Sequence, residues 1–412
     1  MRTKFITGFA SLVGFFWIFT AINPFYLWNS YENILKLFIG GLVVIGTLLL
    51  YSRNKLILTK KRTILAFTIF LFFIYLTSRL DAGVLSMMIR FFVFFPFMLL
   101  TFWRNEVLYK LYLIFRTVIV FFAIGSIVIA LCSVTGVLQY LPYYAIEAQS
   151  NVHEMNNWNY HVYGCIVTLH GYLSSFIPRA CGPLQEPGHF SIILGFVFMI
   201  DRFINMKVSK WIVACGMLTF SMNFFVLAGL GELYDMMCNK AGLKKLKVYM
   251  SVLVLGIVVF LLLNKSLQDQ FMFLFYERNL EQVMDSYMST KSLSGALDER
   301  INQTGAFYYG QLIHSSKAMY GLGKLDKEVV LSDYRGMILL IGYIGFVLSI
   351  ILASASLLGA RFQQAIFLIC AIFLIYIHRA WMMQQPYIYF FVFLSICMYN
   401  YYVSGNKIYN SK

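Results

Sequence analysis

The sequence predicts an all-α, polytopic membrane helix bundle of about eleven or twelve transmembrane helices with two large extracytoplasmic loops. Three observations lead there. Of 412 residues, 60% are hydrophobic and 12% charged, with mean hydropathy +0.72, whereas soluble domains carry about a quarter charged residues. Apolar runs of spanning length recur from one end of the chain to the other, and Lys and Arg gather in particular connectors between them. In such a chain the net charge of +15 reports orientation, so no nucleic-acid partner is expected. All of 1–412 reads as a single integral membrane domain surrounded by membrane lipid.

The first run, Phe5–Leu27, follows Met-Arg-Thr-Lys and lacks a small-residue cleavage site, so it is expected to be an uncleaved helix. Further spans fall at Ile34–Tyr51, Thr63–Ser78, Val84–Trp103, Leu111–Gly136, Gly188–Phe203, Trp211–Met237, Val248–Asn264, Gly336–Leu358, Ala365–Ile377 and Pro386–Val403. The connector Ser52–Arg62 holds Arg53, Lys55, Lys60, Lys61 and Arg62, which places it in the cytoplasm together with both termini. Trp211–Met237 would be about 40 Å long as one helix, too long for an upright span and short for two. Ser221-Met-Asn223 is a candidate turn that would split it into two short passes; a single tilted helix is the alternative.

The extracytoplasmic loops cover about 139–187 and 265–335. In the first, Tyr160–Leu169 has strand character, and Pro178-Arg-Ala-Cys-Gly-Pro-Leu-Gln-Glu-Pro-Gly-His189 leads into a helix. Its prolines predict a stiff loop that joins no ladder. Gly188 and His189 would open a helix whose first N–H groups attract anions, bringing Arg179, Glu186 and His189 to one membrane face. The simpler alternative is a connector that an Arg–Glu pair merely fastens. The second loop carries Asp298-Glu-Arg300, Phe307-Tyr-Tyr309, Gly321-Leu-Gly323 and Ser332-Asp-Tyr-Arg335. Phe271–Met288 and Gly305–Tyr320 read as helices lying along the membrane surface.

Within the spans, Arg90 is a buried charge that requires a partner or a polar cavity. Arg116 is placed to snorkel. Arginine suits bidentate contact with phosphate oxygens, and a carboxylate can take a proton from a sugar hydroxyl. The chain contains no GxSxG, Walker, HExxH or DxD motif, and its seven cysteines lack metal-ligand spacing, so neither metal nor cofactor is expected. Cys165 and Cys181 either pair or remain free thiols.

Several of these features follow a known order. Arg179-Ala-Cys-Gly182 through Glu186-Pro187 into a helix resembles the Arg-x-x-Gly…Glu/Asp-Pro signature of O-antigen polymerases and O-antigen ligases. Leu218-Thr-Phe-Ser221 resembles their short turn between two helices, although the family's usual Arg after the Ser is Met222 here. Arg300 upstream of Tyr320-Gly-Leu-Gly323 resembles the loop arginine and its Gly-x-Gly. Ser332-Asp333 followed by Leu339–Gly345 resembles the helix entry and its Gly-x-x-Gly helix.

The resemblance runs from Pro178 to about Leu358. It implies a metal-free glycosyltransferase in the bacterial inner membrane that acts on undecaprenyl-diphosphate-linked oligosaccharide, with a chain-length regulator and a flippase as partners. Ligases of the family carry His-Asn where this chain has Ser332-Asp333, which favours a polymerase of O-antigen, capsule or other surface polysaccharide. By this analogy Arg179 and Arg300 neutralise the diphosphate, supported by Arg90, with His189 and Arg335 nearby. Glu186 or Asp333 would activate the acceptor hydroxyl. The alternatives are a ligase, a flippase or other lipid-linked oligosaccharide transporter, and an acyltransferase using His189, His314 or His378.

Overall fold

Long apolar runs in a chain this poor in charge form helices because a helix satisfies its own backbone. In the computed structural model they are α1 (Arg2–Ala21), α2 (Glu32–Tyr51), α3 (Lys60–Leu80), α4 (Val84–Leu100), α5 (Asn105–Val134), α6 (Pro187–Phe203), α7 (Lys210–Leu218), α8 (Met222–Cys238), α9 (Lys265–Met272), α10 (Gln303–Ile313), α11 (Tyr334–Ser356), α12 (Phe362–His378) and α13 (Pro386–Asn410). The structure describes residues 2–25, 32–80, 83–146, 159–170, 178–238, 261, 265–272, 303–323 and 333–410. The expected span at Val248–Asn264 (Leu261 apart), most of the surface helix at Phe271–Met288, and Arg300 lie outside the described residues.

Among the described residues five helices are long and apolar enough to cross a membrane: α1, α2, α3, α5 and α11. The most apolar windows of α2 and α5 have mean hydropathies of 2.2 and 2.6, yet only 33% of each is buried by protein. Phe38 on α2, Phe67 on α3 and Phe121 on α5 stand exposed. Apolar surface on that scale is stable only against lipid, so the protein is a helical membrane protein.

The chain divides into two compact units, 1–121 with 183–185 and 303–412, and 122–182 with 186–302. The first has an aromatic core. The Trp17 indole N–H donates to the Val93 carbonyl at 3.0 Å, its ring stacks on Phe97, and Phe390 meets it edge-on. At one end of this unit the basic connector is tied down. Ile57 N–H donates to the Phe102 carbonyl at 2.7 Å, Lys55 pairs with Glu106 at 3.0 Å, and Arg62 donates to the carbonyls of Thr101 and Trp103.

α11 is interrupted at Gly342, where φ is 70° and ψ 179°. The interruption frees carbonyls that lipid cannot satisfy. Leu322 N–H takes Leu339 O at 2.8 Å, Gly323 N–H takes Leu340 O at 2.8 Å, and the Tyr75 hydroxyl takes Ile341 O at 2.6 Å. The loop at 320–323 and one face of α3 therefore hold the break open.

The second unit contains an antiparallel sheet ordered β1-β2-β3-β4, from Tyr144–Ile146, Asn159–Tyr163, Ile166–His170 and Arg179–Gly182. The strand character of Tyr160–Leu169 resolves into the β2–β3 hairpin, in which Tyr163 faces Ile166 across a tight turn. The expectation that Pro178–His189 joins no ladder is corrected in part: β4 pairs with β3, Leu169 opposite Arg179 and Val167 opposite Gly182, around a bulge. Pro178 and Pro183 bracket these four residues without interrupting them, and β4 is an edge strand, where proline is tolerated.

Trp211–Met237 is not one helix. The chain turns at Thr219–Phe220, within the Leu218–Ser221 segment that the resemblance marks as a turn and just ahead of the Ser221-Met-Asn223 candidate, and Gly216 lies against the Phe224 ring. A nine-residue α7 is about 14 Å long, well short of a hydrocarbon core of about 30 Å. α6 is buried along almost its whole length, with Gly195 admitting Leu227 of α8.

Gly342 provides a direct test of the interruption, since a Cβ there would run into the Met319 carbonyl at a positive φ. Gly342→Ala is expected to destabilise the protein by about 1–3 kcal/mol in denaturant unfolding in micelles. Gly41→Ala, where a Cβ meets nothing within 4 Å, should be neutral or stabilising by up to about 1 kcal/mol.

Candidate functional site

At the corner between β4 and α6, Arg179 is only 5% exposed. Its Nε and Nη2 donate to the Thr219 carbonyl at 3.1 and 2.9 Å, and Nη2 also reaches the Phe220 carbonyl at 3.3 Å. These carbonyls lie where α7 ends, the negative end of its dipole, so a cation is favoured there. Phe220 sits at φ 46°, an uncommon conformation for a bulky residue, and the guanidinium binds on either side of it. Gly182, at φ 58°, leaves room for the Phe190 ring. Glu186 precedes α6 without capping it through its side chain, and its carbonyl accepts from His189 and Phe190 N–H at 3.1 Å each. The Ser191 hydroxyl donates to Gly188 O at 2.7 Å and lies 3.0 Å from the Ser221 hydroxyl, from which it can accept. Arg179, Glu186 and His189 thus share one corner of the second unit, with Arg179 holding the α7–α8 turn. Cys165 and Cys181 are free thiols. Burial pushes the Cys181 thiol well above its ordinary range despite the nearby Arg179, so it is not a nucleophile.

Asp333 and Arg335 come together at the entry to α11. Asp333 is 1% exposed and is the helix N-cap. Its Oδ1 accepts from the Arg335 backbone N–H at 2.9 Å, and its Oδ2 accepts from Arg335 Nε and Nη2 at 2.9 and 2.7 Å. The carboxylate is therefore occupied by capping and by a charge-assisted pair. Tyr309 and Tyr334, the first residue of α11, pack on a core of Leu312, Ala318, Ile338 and Leu339. Burial, reinforced by Tyr343 and Tyr334, pushes the Tyr309 phenol up to about 12, so it is a hydrogen-bond donor at neutral pH.

The polar surroundings that Arg90 requires are present. It lines a cavity of about 310 Å³ with Lys36, Ser86 and Gln385, walled by Ile89, Val93 and Phe94. Ser86 and Arg90 lie one turn apart on α4, Lys36 is in the early turns of α2, and Gln385 immediately precedes α13. Two cations, a hydroxyl and an amide are among the described residues that face this space, which is chemistry for an anion. Lys36 was missed in the sequence although it carries the same signal as Arg90, a charge inside an apolar run. Gln385, beside Pro386, reads as connector and gives no such signal.

The described residues thus form an Arg179–Glu186–His189 corner, an Asp333–Arg335 cap and an Arg90–Lys36 cavity, the last two in the first unit. Comparison with known protein families, curated proteins and solved structures finds no match for this chain.

Arg179→Ala would leave the Thr219 and Phe220 carbonyls buried and unpaired. It is expected to lower stability by on the order of 3 kcal/mol, read as a reduced unfolding midpoint in micelles. Arg179→Lys should recover only part of this, because one ammonium cannot replace the guanidinium fork. An unchanged midpoint for Arg179→Ala would show that the clamp contributes no stability.

Proposed function

We propose that the protein is a membrane glycosyltransferase that polymerises undecaprenyl-diphosphate-linked oligosaccharides at the outer face of a bacterial plasma membrane. The observation that carries this reading is the Arg90–Lys36 cavity. Transfer of a glycan from a lipid diphosphate develops negative charge on the leaving group. Two cations in an apolar bundle stabilise that charge more strongly than they would in water. The aliphatic and aromatic wall of Ile89, Val93 and Phe94 suits a headgroup that remains joined to its lipid.

The sugar hydroxyl that attacks must lose a proton. Glu186 is our candidate base, because Asp333 accepts three hydrogen bonds from Arg335 and would have to release them first. Arg335 then acts through the cap rather than on substrate, and Arg179 through the α7–α8 turn, while His189 stays near the candidate base. Arg300 retains the diphosphate role that the resemblance gives it. The basic connector tied down at one end of the first unit supports a cytoplasmic location for that end and for both termini. A flippase and a chain-length regulator would be the working partners.

One observation favours a second reading. A helix interrupted within the membrane, as α11 is at Gly342, is a common feature of transporters, which makes a carrier of lipid-linked oligosaccharide the alternative. A ligase is disfavoured by Asp333 standing where the resemblance would require Asn after His.

Gel analysis of surface polysaccharide separates these readings. Arg90→Ala or Lys36→Ala should slow chain growth by about 10²–10³-fold, collapsing the ladder toward one repeat while single lipid-linked units accumulate. Complete loss of surface glycan in both variants would support the carrier, and long chains at the normal rate would reject both readings.

A further inference from the structure

A second cavity, of about 520 Å³, lies beside the loop that holds the break in α11, lined by Arg79, Ser316, Lys317, Tyr320, Gly321 and Leu322. Its volume is within the usual range of small-ligand sites, about 300–1,000 Å³. The Tyr320 ring is 52% exposed, and the Lys317 side chain is exposed beside it. Among the described residues the lining holds two cations and no carboxylate.

The platform is held from beneath. Arg79 Nε donates to the Tyr320 carbonyl and Nη2 to the Gly321 carbonyl, both at 2.9 Å, and its guanidinium carbon lies 5.8 Å from the centre of the Tyr320 ring. Lys317 is built into the same turn, its carbonyl accepting from Tyr320 N–H at 3.0 Å and Gly321 N–H at 2.8 Å. Leu322 and Gly323 are pinned to α11. The aromatic ring and the backbone that carries Lys317 are therefore held at a fixed spacing, leaving mainly the Lys317 stem to be ordered on binding.

We propose that this cavity binds an acidic saccharide, its ring lying on Tyr320 and its carboxylate meeting Lys317, with Arg79 as the positioning residue. The inference rests on the glycan-polymerising reading and deepens it: the repeat unit would carry a uronic or otherwise acidic sugar. A sugar's C–H face packs against an aromatic ring, and a neutral sugar would gain that contact alone. A carboxylate adds a charge-assisted hydrogen bond in a field already made positive by Arg79.

The test uses the full chain in phosphatidylcholine nanodiscs, with hyaluronan tetrasaccharide as the acidic ligand and chitotetraose as a neutral match, read by calorimetry. The acidic ligand should bind at least about tenfold more tightly than the neutral one. Lys317→Gln should remove that preference, Tyr320→Ala should weaken both ligands, and Tyr320→Phe should weaken neither. Lys317 and Tyr320 are exposed, so these variants should keep the parent unfolding midpoint. Equal affinity for the two tetrasaccharides, binding of neither, or an unchanged preference in Lys317→Gln would overturn the proposal. So would loss of the acidic ligand in phosphatidylglycerol nanodiscs, which would assign the cavity to anionic headgroups. The readout needs no turnover, so a normal ladder in the Arg90→Ala variant would reject the polymerase while leaving this binding result standing.

Discussion

A backbone carbonyl freed in an apolar surrounding has no water to bind, and the protein must supply a donor or not break its helix. That constraint acts twice. At Thr219–Phe220 the donor is a guanidinium from a strand about forty residues upstream; at Gly342 it is two amides from the 320–323 loop and the Tyr75 hydroxyl. In each case a polar group distant in sequence is bound to an interruption, and the local architecture is fixed by the pair. Chain that would otherwise be a loose connector becomes rigid, and rigid connectors can present side chains to a substrate.

The same economy explains why two promising groups are poorly placed for chemistry. Arg179 and Asp333 are the residue types that phosphate binding and proton abstraction need, and both stand in the expected segments. Burial decides otherwise. At 5% and 1% exposure, their charges must be satisfied by the protein itself, and they are: Arg179 by two carbonyls, Asp333 by Arg335. Glu186 is half-buried, so its carboxylate is more accessible than that of Asp333.

How much could be read in advance follows from what each feature depends on. Helices set by apolar length were legible, as was the failure of Trp211–Met237 to fit one span, because rise per residue and bilayer thickness are fixed quantities. The position of that turn was legible from the resemblance at Leu218–Ser221 but not from local turn chemistry, which points to Ser221-Met-Asn223, while the carbonyls of the turn are held by Arg179, which periodicity cannot relate to it. β4 was hidden by its flanking prolines, which signal a loop locally but permit an edge strand in context. The capping role of Asp333 was available in principle, as Asp followed by Tyr334 and Arg335 at the start of an apolar run is an N-cap pattern. Lys36 was overlooked because its run was assessed for length rather than for the one charge inside it.

The two cavities of the first unit differ in what accompanies their charges, and that difference orders their roles. Around Arg90 and Lys36 the remaining lining is Ser86 and Gln385 together with Ile89, Val93 and Phe94, so an entering anion exchanges water for guanidinium, ammonium, hydroxyl and amide donors beside an apolar wall. A diphosphate attached to a long hydrocarbon can make that exchange, because its tail already prefers the surrounding lipid. Around Lys317 the neighbours are a hydroxyl, a half-exposed tyrosine and loop backbone. A ligand there keeps much of its hydration, as a sugar with many hydroxyls must, and gains from one stacked face and one ion pair. In the proposed reading one glycolipid would use both cavities, its diphosphate meeting Arg90 and Lys36 and its sugar meeting Tyr320 and Lys317.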